Sequence, residues 1–154
     1  GHTEIKMNVP VKIIASADAT LPKYQTFGSS GMDLCTTIDF VLAAGERMMV
    51  PTGLRIALPE GYEAQVRPRS GLAVKHGIGM VNAPGTIDSD YRGEIHAILI
   101  NWGSDAVEFR KGDRVAQIVI APVVQATWVE VDSLDATDRG EGGFGSTGVS
   151  KQPL

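Results

Sequence analysis

Residues 82–94, Asn-Ala-Pro-Gly-Thr-Ile-Asp-Ser-Asp-Tyr-Arg-Gly-Glu, hold a Pro-Gly turn, two aspartates, an aromatic and an arginine. A tight turn leaves backbone N–H and C=O groups free to read the edge of a small planar ligand. The aspartates Asp88 and Asp90 can orient a water or help to hold a cation. Two other segments carry the complementary chemistry. Residues 67–73 (RPRSGLA) supply the cations Arg67 and Arg69 beside Ser70 and Gly71. Residues 139–148 (RGEGGFGSTG) supply Arg139, a run of glycines, and the hydroxyls of Ser146 and Thr147. Successive glycines let backbone N–H groups converge on an anion, and Phe144 offers a ring face to a base.

Several tempting motifs fail on context. Gly140, Gly142 and Gly145 form a formal G-x-G-x-x-G. That fingerprint needs a strand before it and a helix after it, and too little chain follows here for a βαβ unit. The same run resembles a phosphate loop, but Ser146 stands where the essential lysine belongs. Ser70 lacks the G-x-S-x-G elbow of a nucleophile. It reads either as a helix cap or as a phosphate contact, since a helix start beside arginine favours anions. His76 and His96 do not stand at zinc spacing, and the one cysteine, Cys35, cannot complete a structural zinc site. A triad of His76, Ser70 and Asp88 has no support in the spacing. A divalent metal here should be a hard ion held mainly by substrate oxygens, which suits Mg²⁺ with a triphosphate. Asp33, taken alone, reads as a turn residue. Gln117 interrupts an apolar run and must find a partner, in the core or on a ligand.

The elements that position these groups are short. Gly 18 and Pro 8 punctuate β-prone runs at residues 11–14, 62–66, 96–100, 114–120 and 127–131. No window of ten residues has convincing helical periodicity, and one helical turn is expected at 70–75 with Ser70 as its cap. This pattern predicts an all-β sandwich, jelly roll or barrel. The 154 residues suit one domain, and 43% apolar residues with a mean hydropathy of +0.01 fit a soluble globular protein. A net charge of −4 argues against a nucleic-acid binder but not against a small anionic ligand. No apolar run is long enough to span a bilayer. A single cysteine agrees with a reducing, cytoplasmic setting, and Cys35 is expected to sit in the core. Residues 1–6 precede Met7 and read as a cloning remnant, 7–135 as the β domain, and 136–154 as a flexible arm.

Five segments in order, 30–34 (SGMDL), 68–73 (PRSGLA), 82–94, 112–117 (GDRVAQ) and 139–148, resemble the five motifs of the trimeric dUTPases (deoxyuridine triphosphate nucleotidohydrolases). The resemblance spans residues 9–148. It implies an all-β jelly-roll subunit, or distorted β-barrel, with one short helix and a flexible C-terminal arm. It further implies a homotrimer with active sites shared between subunits, one subunit's arm closing over a neighbour's site. The implied reaction is Mg²⁺-assisted water attack on the α-phosphorus of dUTP, giving dUMP and pyrophosphate. That reaction limits uracil incorporation into DNA and supplies dUMP for dTMP synthesis.

Carried over by position, Asp88 is the general base, and Asp33 binds Mg²⁺ through water. Arg69, Ser70, Gly71 and Gln117 contact the phosphates. A hairpin from Asn82 through Gly85, Thr86 and Ile87 to Tyr91 reads the uracil edge. Tyr91 lies against the sugar and leaves no room for a 2′-hydroxyl. From the arm, Arg139, Gly145, Ser146 and Thr147 hold the terminal phosphates and Phe144 stacks on the base. His96 stands just past the hairpin, at the ligand's rim or simply in a strand. Ser30 replaces the commoner alanine, Cys35-Thr36 is unusual, and residues 149–154 trail the last motif. The competing readings are a dCTP deaminase of the same fold and a non-catalytic nucleotide-binding regulator. The first needs a catalytic glutamate and lacks the arm; the second would have lost Asp88 or the arm.

Overall fold

A computed structural model describes residues 8–145. They divide into two units, the first ending at Val124 and the second beginning at Gln125. Ten strands and one helix lie in the first unit: β1 (Lys12–Ala15), β2 (Met32–Cys35), β3 (Phe40–Leu42), β4 (Arg47–Ala57), β5 (Tyr62–Arg67), α1 (Ser70–His76), β6 (Ile78–Met80), β7 (Gly85–Ile87), β8 (Glu94–Asn101), β9 (Val107–Phe109) and β10 (Arg114–Pro122). Two antiparallel four-stranded sheets, β1-β4-β8-β6 and β2-β10-β5-β7, share one core, and β3 pairs with β9 beside them. The result is the expected all-β jelly roll with a single short helix.

Alternation builds the core. In β4 the side chains of Val50, Thr52, Leu54 and Ile56 turn inward while their neighbours face out. β8 contributes Ile95, Ala97 and Leu99, and β10 contributes Val115, Ala116 and Ile118 from the facing sheet. The period of two is what lets a half-buried strand carry polar groups on one side and core on the other. Buried polar groups are all satisfied among the described residues. Asn101, fully buried, donates to the carbonyls of Leu42 (3.0 Å) and Asp105 (2.8 Å) and accepts from Gly103 N–H at 2.9 Å.

Three expectations change. Residues 127–131 form no strand; Trp128, Val129 and Val131 are exposed. Their alternation is real, but a strand needs a neighbouring backbone, and none pairs with them among the described residues. Ser70 is the first helical residue of α1 and not its cap. The cap is Arg69, extended at φ −98° and ψ 130°, without a side-chain capping bond. Residues 82–91 are not a simple hairpin, because β6 pairs with β8 in one sheet and β7 with β5 in the other. The segment crosses between sheets. Cys35 is buried as expected, and burial raises its thiol pKa above the ordinary value.

Candidate active site

One end of the β2-β10-β5-β7 sheet gathers residues from three of the segments singled out in the sequence. Register sets them abreast: Gln117 in β10 stands opposite Asp33 in β2 on one side and Arg67 in β5 on the other. Arg69 follows two residues after the end of β5. A bulge in β10 then adds a residue to the set. Arg114 opposes Cys35 and Ala116 opposes Leu34, so Val115 is the extra residue. Without it, Arg114 and Gln117, three apart, would point to opposite faces. With it, both share the face of Asp33.

Asp33 therefore sits between two cations. Its Oδ1 lies 3.6 Å from Arg69 Nε and its Oδ2 lies 3.7 Å from Arg114 Nε. Arg69 also donates to the Arg114 carbonyl at 3.3 Å. Two guanidinium groups against one carboxylate leave this corner net positive, which suits an anion. Gln117 donates from Nε2 to the Pro68 carbonyl at 3.1 Å, so its amide is partnered while its side chain stays half-buried. Gly31 makes room for it: a Cβ there would stand 2.7 Å from Gln117 Oε1. Ser70 and Gly71 are exposed at the start of α1, and a Cβ on Gly71 would meet nothing within 4 Å. The backbone there is open to a ligand.

The other candidate residues lie on and after β7. Gly85 is buried against Val66 and the Asn82 amide, and Asn82 itself is exposed. Thr86 faces out, whereas the Ile87 side chain belongs to the core, leaving only its backbone for a ligand. Asp88 is exposed and begins a turn closed by Tyr91 N–H donating to the Asp88 carbonyl at 3.1 Å. Tyr91 donates its hydroxyl to the Glu94 carbonyl at 2.9 Å and keeps 44% of its surface open. His96 is half-buried in β8 and engages Glu94, with Nδ1 3.2 Å from the carbonyl and Nε2 3.6 Å from the carboxylate. Residue types alone do not single out Arg114 or Glu94. Arg114 lies within the fourth of the family-like segments, but only the bulge reveals its direction.

These two groups of residues are well separated in one chain. Ile87 stands opposite Ala64, so Asp88 falls beside Glu63, four residues along β5 from Arg67 and three strands from Asp33. Strand rise and spacing put the two aspartates roughly 20 Å apart. No group of three or more metal-ligating side chains occurs among the described residues.

In the second unit, Arg139 Nε donates to the Gly142 carbonyl at 2.5 Å, and Gly142 N–H returns to the Arg139 carbonyl at 3.2 Å. Phe144, at φ +45°, is fully exposed, and Gly145 follows at φ +83°. Ser146 and Thr147 lie outside the described residues.

A profile of the dUTPase family matches residues 17–148. The chain belongs to the dUTPase family. A deoxyuridine 5'-triphosphate nucleotidohydrolase of Anaeromyxobacter sp. (strain Fw109-5) is 59% identical over 128 residues, 83% of this chain and 87% of that protein. Among solved structures, the Staphylococcus bacteriophage 80alpha dUTPase with dUPNHPP matches at a TM-score of 0.84 and 24% identity, over 91% of this chain and 99% of that one. A point mutant of the dUTPase from phage phi11 of S. aureus, described with a structural Mg(II) ion, matches at 0.74 and 20% identity over 80% and 97%. At those identities the two phage enzymes show the shared dUTPase fold. The 59% relative extends the likeness to sequence over most of the chain.

Proposed function

We propose that this chain hydrolyses dUTP to dUMP and pyrophosphate. The observation that carries the reading is the net positive corner formed by Asp33, Arg69 and Arg114, in a member of the dUTPase family. In this reading the phosphates lie at that corner and at the open backbone of Ser70 and Gly71. Gln117 contacts the phosphate chain. Asp88 takes the proton from the water that attacks the α-phosphorus, and the α–β bridging oxygen departs with pyrophosphate. The arginines offset charge that grows on the leaving group.

The donor set fits Mg²⁺. This ion keeps most of its waters and favours one or two carboxylates plus substrate phosphates over a protein cage. Asp33 is such a single carboxylate, and no protein cage competes with it among the described residues. Asp33 would hold the ion through water, and the bound ion would neutralise phosphate charge.

Base selection rests on Asn82 and the backbone of Gly85, Thr86 and Ile87, with Tyr91 against the sugar. An inverted donor and acceptor pattern would leave buried groups unpaired, which costs a competing base heavily. The site is shared between copies in a homotrimer. The separation of about 20 Å between Asp33 and Asp88 supports this, since one chain cannot set both around one phosphorus. The exposed Val124, Trp128, Val129 and Leu134 also suit burial in an assembly. The arm, residues 136–154, brings Arg139, Phe144, Gly145, Ser146 and Thr147 to a neighbour's site. Among the described residues no helix is long and apolar enough to cross a membrane. A free nucleotide substrate and one buried cysteine suit the cytoplasm.

The test is pyrophosphate release with Mg²⁺ from dUTP, dCTP, dTTP and UTP in parallel, with ammonia followed in the dCTP reaction. Release from dUTP alone is expected. Ammonia from dCTP would make the chain a deaminase, and silence on all four would make it a binding protein.

A further inference from the structure

The loop that carries Asp88 and Tyr91 is tied at its C-terminal end to one irregularity in β4. β4 and β8 pair regularly from Arg47↔Ile100 to Pro51↔His96, then the register slips and resumes at Arg55↔Glu94. Gly53, at φ +70°, is the left-handed residue within that bulge. The slip interrupts backbone pairing at Ile95, one residue into β8, and side chains bond across the gap. Glu94 Oε2 accepts from Gly53 N–H at 3.2 Å. Thr52, fully buried, donates to the Ile95 carbonyl at 2.6 Å. Arg55 Nε donates to the Arg92 carbonyl at 2.8 Å. Arg92 in turn bridges the carbonyls of Ser89 (2.6 Å) and Tyr91 (3.0 Å).

The Tyr91 ring is indexed to this framework. Its hydroxyl bonds to the Glu94 carbonyl, and the ring folds onto Gly93 so closely that a Cβ there would stand 2.4 Å from Oη and 2.6 Å from Cζ. The ring thus takes its place from the backbone of residues 93 and 94, and that backbone takes its place from the bulge. Excluding a substrate on one oxygen atom needs a wall placed to within about 0.5 Å, and an untied surface loop does not hold that tolerance.

We infer that Glu94 and Arg55 are positioning residues: through the β4 bulge they set the Tyr91 ring and thereby the selection of deoxyribose over ribose. The inference rests on the reading that Tyr91 lies against the sugar. Glu94 is half-buried and Arg55 is exposed, so the two variants probe the same clamp from sites that differ in their risk to folding. Glu94→Gln keeps an oxygen for Gly53 N–H and serves as the conservative rescue.

The experiment measures kcat/KM for dUTP and for UTP in the parent, Glu94→Ala, Glu94→Gln and Arg55→Ala. In parallel, the protein is labelled with 3-fluorotyrosine and its ¹⁹F spectrum is recorded without nucleotide. Three tyrosines give three signals, and loss of one in Tyr91→Phe assigns it. Glu94→Ala and Arg55→Ala should each lower the dUTP-to-UTP preference about tenfold and move the Tyr91 signal, with Glu94→Gln within about twofold of the parent. Equal loss on both nucleotides, or a Tyr91 signal unmoved in both alanine variants, would overturn the inference. A parent that hydrolyses dUTP and UTP alike would refute the sugar reading itself, a failure the fluorine signal distinguishes from failure of the clamp.

Discussion

The corner around Asp33 and the loop around Tyr91 are held by different means. At the corner, Asp33, Gln117 and Arg67 stand abreast because three strands pair in register, and one bulge turns Arg114 to join them. In the loop, regular pairing has lapsed, and Arg55, Arg92 and Glu94 bond side chain to backbone. The corner presents charge, which tolerates small shifts because Coulomb attraction falls slowly with distance. The loop presents shape, which does not. Each means of support suits the role proposed for it: ladder register for cations, a dense local clamp for a recognition surface.

Asp88→Asn should keep nucleotide binding, read by calorimetry, while pyrophosphate release falls by about 10²–10⁴. Turnover near the parent rate would remove the loop from the chemistry. Deleting the chain from Arg139 onward should likewise cripple turnover and leave the oligomer intact on a sizing column; collapse to monomers would make the tail structural.

A subtler test asks whether corner and loop come from different copies. Asp88→Asn and Arg69→Ala, each expected to be nearly inactive alone, are unfolded together and refolded in equal amounts. If each site pairs one copy's corner with another's loop, random mixing leaves about a quarter of the sites intact. Activity should return to about that fraction. No recovery would place both halves of the site in one chain.

Much of the candidate site is proposed from residue types, because Arg69, Gln117, Asp88 and Tyr91 stand in short segments whose chemistry is local. The direction of Arg114 could not, since a single extra residue in β10 reverses it and nothing in the sequence marks the bulge. Glu94 is hidden for a similar reason: its partner, Gly53 N–H, is 41 residues away. Residues 11–14, 62–66, 96–100 and 114–120 were legible as strands from alternation and β-branching. Residues 127–131 show the limit, because the same alternation yields a strand only where another backbone is at hand.

Two smaller effects sharpen the contrast in support. Gly53→Ala would put a Cβ 2.3 Å from Ser16 Oγ at φ +70°. It should lower stability by about 1–3 kcal/mol in denaturant melts and loosen the loop more than the corner. Cys35 lies at the corner's foot, and burial raises its pKa, with a further raising contribution from Asp33. The folded state holds that proton more tightly than the unfolded one. Its stabilising contribution is thus complete below about pH 8.5, the ordinary thiol value, and is lost as pH climbs toward the raised value. Denaturant midpoints of the parent should fall over that range more steeply than those of Cys35→Ala. In the native protein, iodoacetamide should react slowly with this thiol.

β1 is the outer strand of its sheet, with all four residues exposed, Ile13 and Ile14 among them. Among the described residues its outer edge pairs with no other strand, and unmatched N–H and C=O groups beside apolar side chains are the arrangement that recruits foreign backbone. Under the proposed homotrimeric reading, a newly made polypeptide faces a race: encounter with its own kind, or capture by whatever extended segment arrives first. Dilution and slow synthesis lengthen that exposure, so yield of soluble protein should depend on how quickly chains meet.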